Sequence, residues 1–336
     1  MKRYLKTALR FILFCVIFMV ILMLLSKVFV PKDNQKSAGM EAVQSNGILG
    51  EPDNTMDYLV VGDSETYSSI TPMEIWRQYG YAGYVCGTGG QHLYDTERFL
   101  AQALKKQSPK YVILETNALY RKIAYEKILK SQLEKYFQIF RYHDRWKSLM
   151  LNDFTGSVNY TWTNDYKGYR YENKVATAAL KDYMKQTDQK AKISAINQYY
   201  VEQMIKLCRK NNVELILIST PSIKNWNYAK HNGIQALADQ YGLEYYDLNL
   251  MPDQVKIDWK KDTRDKGDHL NHTGAVQVSD WLGAFFHSKN TLTAVRRRHT
   301  VDGMMHWEDM ISKLLMEQHM RYLMARNNRR GRLFAG

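Results

Sequence analysis

The sequence predicts an α/β domain with a parallel sheet, preceded by an apolar N-terminal helix. Two features of the 336 residues carry this prediction. Short β-branched runs alternate with helix-like stretches, and the first thirty residues are almost free of polar side chains after a basic start. Single strands that alternate with helices are typical of a parallel sheet covered on both faces.

The N-terminal run indicates a membrane anchor. Residues 11–30 read FILFCVIFMVILMLLSKVFV, and about 20 such residues span the hydrocarbon layer as a helix. The run is longer than the apolar part of a cleaved signal peptide. It also lacks the polar face that a helix packed on a soluble core would have. By the positive-inside rule, basic residues before it keep the N-terminus cytoplasmic and place the rest outside the cell membrane. We therefore predict a single-pass anchor over residues 1–30, oriented by Lys2, Arg3, Lys6 and Arg10.

The remaining chain divides into a linker, a domain and a tail. Residues 31–56 are polar, contain Gly and Pro and lack periodicity, which predicts an extracytoplasmic linker. A domain follows over residues 57–287, and a basic tail over residues 288–336. The predicted strands are Tyr58–Val61, Tyr84–Cys86, Tyr111–Leu114, Glu214–Ile218 and Glu244–Asp247. The predicted helices include Pro72–Tyr79, Asp95–Gln107, Ala195–Lys210 and Tyr228–Tyr241.

Two segments do not fit the strand–helix alternation. Residues 120–190 are too long for a normal crossover and are rich in aromatic residues, so they are interpreted as an insertion or cap. Its aromatic residues either stack on sugar rings or fill a local core. In the tail, apolar residues at helical spacing, with basic neighbours, indicate either a membrane-facing or partner-binding helix or one packed on the domain. The residues concerned are Trp162, Tyr166, Tyr169 and Tyr171 in the insertion, and Trp307, Met310, Ile311, Leu314 and Leu315 in the tail.

The amino-acid composition limits the classes of molecule that the chain is expected to bind. The chain has 47 Lys and Arg against 34 Asp and Glu, a formal net charge of +13, which favours anionic partners. No helix-turn-helix, zinc finger or aromatic RNA-binding motif accompanies this charge, so nucleic-acid binding is not predicted. Three cysteines without CxxC spacing and scattered histidines predict no metal site. No cofactor is expected.

The first strand ends in a candidate nucleophile. Gly62-Asp63-Ser64 stands at a strand-to-helix turn, at the edge of a parallel sheet where sites collect. The backbone N–H of Ser64 there would face the negative charge on an attacked carbonyl oxygen. A serine at a helix start is also an ordinary cap, so the interpretation depends on its partners.

The last block of the domain supplies those partners. DTRDKGDHLNHTG is an acidic, His-containing loop that opens into a helix, and it resembles the D-x-x-H-[LP]-N-x-x-G block of the SGNH or GDSL hydrolase superfamily. The resemblance implies a flavodoxin-like three-layer α/β/α fold, Ser64 as nucleophile and His269, rather than His272, as base. The position of the family's Asp is occupied by Lys266. Asp265, with Gly267 forming a bulge, and the adjacent Asp268 are both candidates for orienting the imidazole.

Two middle blocks strengthen the resemblance. Family members place a Gly after the second strand and an Asn after the third, and both complete the oxyanion hole with the N–H of the nucleophile. By the spacing of YVCGTGGQ the Gly is Gly90, with Gly89 next to it, and in VILETNALY the Asn is Asn117. Glu115 and Ala118 depart from the family pattern.

Glu65 replaces the usual Leu after the serine, which resembles anchored members that work with membrane-bound O-acyltransferases, such as the D-alanyl transfer protein of teichoic acids and alginate acetylation proteins. That resemblance implies O-acyl transfer to, or ester hydrolysis on, a cell-envelope polysaccharide, with a membrane O-acyltransferase as partner. The alternative is a non-catalytic accessory protein that binds the polymer or the acyltransferase.

Overall fold

The computed structural model describes residues 2–179 and 182–292. The predictions for the tail, including its helical apolar residues, lie outside this part of the chain.

Five parallel strands form one sheet in the order β2-β1-β3-β4-β5. This is the order of flavodoxin-like folds, and the predicted three-layer α/β/α architecture is confirmed. The strands are β1 (Tyr58–Gly62), β2 (Gly83–Gly87), β3 (Tyr111–Glu115), β4 (Glu214–Ser219) and β5 (Glu244–Asp247).

Helices in the described residues follow the predicted alternation, with additional short ones near the site and in the insertion. They are α1 (Lys2–Phe29), α2 (Val43–Asn46), α3 (Ser64–Ser69), α4 (Pro72–Tyr79), α5 (Leu93–Ala103), α6 (Tyr125–Tyr136), α7 (Ile139–Tyr142), α8 (Leu151–Thr155), α9 (Ala195–Lys210), α10 (Tyr228–Tyr241) and α11 (His272–Lys289).

Alternate strand residues supply the two cores, because successive side chains of a strand point to opposite faces of the sheet. Leu59 and Val61 of β1 belong to the core under α5, α9 and α10. Tyr58 and Val60 belong to the core under α4 and α11. Both faces of β1 are fully buried, which explains its continuous apolar sequence.

The N-terminal helix α1 is long and apolar enough to cross a membrane. Within Arg3–Phe29, an 18-residue window has a mean hydropathy of 2.9, and none of that window is buried within the protein. Its last turns differ, because Ser26 is buried and accepts a hydrogen bond from the Ile139 backbone N–H at 3.2 Å.

The prediction that residues 31–56 form a free linker is wrong. Ile48 and Leu49 belong to the core on the α5 side of the sheet. The Ser45 hydroxyl donates to the Gly87 carbonyl at the end of β2 at 2.9 Å, and Tyr84 donates to the Gln44 carbonyl at 2.7 Å. The segment thus packs along the domain, because burial of a few irregularly spaced apolar side chains offsets its polar composition.

The insertion is also part of the folded body. Helices α7 and α8 and the turn His143–Lys147 pack against the last turns of α1. Its later part turns back to the sheet, where Val85 of β2 donates to the Lys167 carbonyl at 2.9 Å. The insertion therefore joins the end of α1 to the edge of the sheet.

A buried ion pair ties the 31–56 segment to the insertion. Lys167 Nζ lies 2.6 Å from Glu51 Oε1, and both side chains are almost fully inaccessible to solvent. Removing one member of such a pair leaves an uncompensated buried charge, which costs about 3–5 kcal/mol.

We therefore expect Lys167→Met to lower the free energy of unfolding by about 3–5 kcal/mol, measured by urea denaturation of the full-length protein. Lys261→Met is the matched control, because Lys261 pairs with Asp258 on the exposed surface, where solvent screening leaves such pairs with little effect on stability. Equal effects of the two substitutions would show that the 31–56 segment does not dock through this pair.

Candidate active site

Ser64 is the first residue of α3, directly after β1, where the chain turns sharply. Gly62 has φ +154, and a Cβ there would lie 2.6 Å from Thr66 Cγ2, so a side chain at this position is excluded. Asp63 is the N-cap, and its carboxylate accepts the Glu65 backbone N–H at 3.0 Å. The turn therefore places Ser64, 7% exposed, at the carboxyl edge of the sheet, as predicted for a site in a parallel α/β fold.

His269 lies against Ser64 from the loop before α11. Its Nε2 is 2.8 Å from Ser64 Oγ, and its Nδ1 is 2.7 Å from Asp265 Oδ2. The other oxygen of Asp265 accepts the His269 backbone N–H at 2.7 Å. His272, the competing histidine, is instead 3.2 Å from the Tyr169 hydroxyl through Nδ1.

Of the two candidate aspartates, Asp265 contacts the imidazole. Asp268 Oδ1 lies 3.8 Å from His269 Nδ1, beyond hydrogen-bond distance, and accepts a hydrogen bond from Asn225. Lys266 and Gly267 both have positive φ, +64 and +86. These two left-handed residues form the bulge that brings Asp265 back to the histidine.

The surroundings of Asp265 favour its charged form. Partial burial raises its pKa, but hydrogen bonds from the His269 backbone and imidazole, with the nearby positive charge, lower the pKa overall. An ionised Asp265 accepts a hydrogen bond from the protonated Nδ1 of His269. The unprotonated Nε2 can then accept the proton of Ser64.

The two further oxyanion candidates differ in position. Asn117 is buried after β3, and its Nδ2 donates to Asp63 Oδ2 at 3.1 Å. Gly90 lies in an exposed turn after β2 with φ +67, a conformation that favours glycine. An amide nitrogen carries two hydrogens, so the bond to Asp63 leaves Asn117 a second donor.

Arg121 is a site residue that the sequence does not indicate. Its Nε and Nη2 donate to Asp63 Oδ2 at 2.9 and 2.7 Å, while the Asp63 side chain is fully buried. Arg121 thus compensates the charge of the N-cap beside the nucleophile. No motif in the sequence marks Arg121. Only its position four residues after Asn117 places it near the candidate site.

Two buried acids lie under the site. Burial, reinforced by neighbouring acidic groups, raises the pKa of Glu65 well above its usual range. Burial and the charge of Asp63 do the same to the pKa of Glu115, against the hydrogen bonds that it accepts from the backbone of Asn117 and Thr220. Burial therefore favours the protonated form of both carboxyls.

Glu65 also connects two loops of the site. Asn225, from the loop after β4, donates to Glu65 Oε1 at 2.7 Å and also to Asp268. The loop after β4 thus belongs to the candidate site, although no motif in the sequence marks it. Its signal is only the position of Asn225 after a predicted strand.

Glu65, Asp268 and His269 offer ligand atoms within 4.8 Å of one another. Both ring nitrogens of His269 already lie within hydrogen-bond distance of Ser64 and Asp265, so metal binding would require breaking that chain. We therefore assign this cluster to hydrogen bonding, and the absence of a cofactor stays a prediction.

The later part of the insertion supports the loop that carries Asp265 and His269. Ala176 donates its N–H to the Thr263 carbonyl at 2.9 Å and accepts the Lys266 N–H at 3.1 Å. Tyr169 is buried, and Tyr171 packs on the His272 ring with centroids 4.8 Å apart. These tyrosines form a local core behind the loop, which was one of the two interpretations of the aromatic residues.

The raised pKa of Glu65 predicts a pH dependence of stability. Glu65 binds a proton more tightly in the folded than in the unfolded state. The stabilisation that this proton provides is therefore complete below the ordinary pKa of 4.5. That effect is lost as the pH rises through the folded-state pKa. We expect Glu65→Gln, which mimics the protonated form, to lose less stability than the wild type between about pH 5 and about pH 9.

The measurement is the urea midpoint across that pH range, with Glu74→Gln as control. The pKa of Glu74 is lowered overall, so its contribution is constant above its ordinary pKa and the slope should stay that of the wild type. A Glu65→Gln slope equal to that of the wild type would mean that Glu65 is ionised in the folded protein.

No family profile matches this chain, and no curated protein matches it. Solved structures do match. A GDSL-like lipase from Bacteroides thetaiotaomicron is 12% identical, with a TM-score of 0.34, over 69% of this chain and 86% of its own. A family 3 carbohydrate esterase from Clostridium thermocellum is 14% identical, with a TM-score of 0.38, over 70% and 97%.

A lipase/acylhydrolase from Enterococcus faecalis is 11% identical, with a TM-score of 0.38, over 70% of this chain and 96% of its own. These three structures are described as a GDSL-like lipase, a carbohydrate esterase and a lipase/acylhydrolase. At these identities and TM-scores, the resemblance of this chain to the SGNH or GDSL superfamily stays a prediction from its sequence blocks.

Proposed function

We propose that this protein is a serine enzyme that takes an acyl group from an ester onto Ser64 and passes it to a hydroxyl acceptor. The carrying observation is the continuous chain Ser64 Oγ, His269, Asp265, with successive distances of 2.8 and 2.7 Å. A nucleophile, a base within hydrogen-bond distance and a group that orients the base are what acyl transfer through a serine requires.

In the first half-reaction, His269 Nε2 accepts the Ser64 proton while Oγ attacks the ester carbonyl carbon. Asp265 holds the Nδ1 proton and stabilises the imidazolium that forms. Collapse of the tetrahedral intermediate breaks the bond to the leaving alcohol, which takes the proton from Nε2. The product is an acyl-Ser64 ester.

The negative charge on the carbonyl oxygen needs hydrogen-bond donors. We assign this role to the N–H groups of Ser64 and Gly90 and to the Asn117 side-chain amide. The loss of one such donor in serine enzymes costs roughly 10²- to 10³-fold in kcat. Arg121 and Asp63 hold the Asn117 amide at this edge.

In the second half-reaction, a hydroxyl of the acceptor gives its proton to His269 and attacks the acyl-Ser64 carbonyl. Collapse of the second tetrahedral intermediate breaks the bond between Ser64 Oγ and the acyl carbon, and Oγ takes the proton back from His269 Nε2. Water as the acceptor gives hydrolysis, and a sugar hydroxyl gives transfer. We propose a cell-envelope polysaccharide as the polymer that is acylated or deacylated. The support is the anchor-like helix α1 and the resemblance that Glu65 gives to anchored partners of membrane O-acyltransferases.

We further propose that the domain faces the outside of the cell membrane, because basic residues precede the apolar part of α1 and the positive-inside rule keeps them in the cytoplasm. The main argument for the accessory-protein alternative is the displaced aspartate. The contact between Asp265 and His269 supports the enzyme instead.

The test uses full-length protein in detergent with a fluorophosphonate probe and a small acetyl ester. We expect the wild type to be labelled and to turn over the ester. Ser64→Ala should abolish labelling, and both Ser64→Ala and His269→Ala should lower turnover by roughly 10³-fold or more. Ser68→Ala is the control, since Ser68 is one turn further along α3.

A folded wild type that is neither labelled nor active, with oligosaccharide acceptors present, would contradict the proposal. Formation of an acylated oligosaccharide would distinguish transfer from hydrolysis.

A further inference from the structure

The exposed apolar side chains of the domain are concentrated in one part of the insertion. Outside α1, twelve large apolar residues among the described residues are exposed, and nine of them lie between residues 125 and 158. Single exposed apolar residues are ordinary, whereas a cluster marks an interaction surface. We define five of them as the collar; they are 62–79% exposed and comprise Tyr136, Trp146, Met150, Leu151 and Phe154.

The collar lies on segments that contact the end of α1. The backbone N–H of Ile139, three residues after Tyr136, donates to the buried Ser26 hydroxyl of α1. Arg145, next to Trp146, donates to the Phe29 carbonyl at the last residue of α1. Helix α8, which carries Leu151 and Phe154, also packs against α1. The collar is therefore held next to the C-terminal end of α1.

Buried contacts hold the collar rigid while its apolar side chains point outward. Arg145 pairs with Asp153 at 2.6 Å, and both side chains are at most 8% exposed. Asp153 also caps α8 by accepting the Met150 backbone N–H at 2.8 Å. The exposure of Trp146, Leu151 and Phe154 is thus a property of a fixed scaffold.

We propose that the collar docks on the phospholipid surface from which α1 emerges, with its apolar side chains at the boundary between head groups and acyl chains. This inference rests on α1 spanning the membrane, and does not depend on the chemistry proposed for Ser64. Three features favour lipid as the occupant: continuity with α1, Trp and Tyr side chains typical of membrane interfaces, and adjoining basic residues. Lys147 Nζ lies 5.4 Å from the Trp146 ring centroid and would remain at head-group level.

Docking would also set the height of the site above the membrane. Helix α6 has 12 residues, about 18 Å at 1.5 Å per residue, and runs from Tyr125 to the collar residue Tyr136. Arg121 of the site lies four residues before Tyr125, at most about 14 Å of extended chain. Ser64 would then work within a few tens of ångströms of the bilayer, which suits an ester presented at the membrane surface.

The test places an environment-sensitive fluorophore on single cysteines of the full-length protein in vesicles of phosphatidylethanolamine and phosphatidylglycerol. The background is Cys15→Ala, because Cys86 and Cys208 are buried. Labels go on Leu151→Cys and Phe154→Cys in the collar, on Met19→Cys within α1, and on Tyr199→Cys as control. Tyr199 is 47% exposed on α9. Nitroxide-bearing lipids then quench labels that contact the bilayer.

We expect quenching of at least about twofold at positions 151, 154 and 19, and little at position 199. Quenching at position 19 alone would overturn the proposal, and so would its absence at all four positions. Shielding of the collar in native membranes but not in pure lipid vesicles would identify a protein as the occupant and would also overturn it. Fluorophosphonate labelling of the same samples reports on Ser64 separately.

Discussion

The hydrogen-bonded contact between Asp265 and His269 is the constraint on which the site depends. It requires the loop before α11 to bulge through two left-handed residues, Lys266 and Gly267. The Thr263 hydroxyl donates to the His269 carbonyl at 3.0 Å and accepts the Gly267 N–H at 2.7 Å. The insertion and the loop after β4 both form hydrogen bonds to the loop before α11.

The loop after β4 contributes through Ser222, whose hydroxyl donates to the Asp268 carbonyl at 2.7 Å. Neighbouring parallel strands therefore deliver the nucleophile from β1, an amide from beyond β3 and loop support from beyond β4 to one edge. The buried carboxyls of Glu65 and Glu115 are the cost of this arrangement, since burial and the nearby Asp63 raise the pKa of both groups and disfavour their charged forms. Stability traded for a preorganised site is common in enzymes.

Much of the sheet, and the candidate pair Ser64 and His269, could be predicted from the sequence. The β-branched runs mark the strands because both faces of a parallel sheet are buried, and Ser64 and His269 stand in recognisable blocks at element ends. The choice between Asp265 and Asp268 could not be predicted, because it depends on two backbone φ angles. Arg121 was missed for a related reason: its partner Asp63 is 58 residues away. The packing of the 31–56 segment on the domain could not be predicted, because it depends on a few irregularly spaced apolar residues such as Ile48 and Leu49.

The central claim is that Asp265 orients His269 toward Ser64, and the most direct measurement compares kcat/KM for Asp265→Asn and Asp268→Asn with a small acetyl ester. The account predicts a loss of about 10³- to 10⁴-fold for Asp265→Asn, because the wrong imidazole tautomer would face the serine. Asp268→Asn keeps an oxygen acceptor for Asn225 and should lose about tenfold or less. With both variants folded, a larger loss for Asp268→Asn would contradict the account.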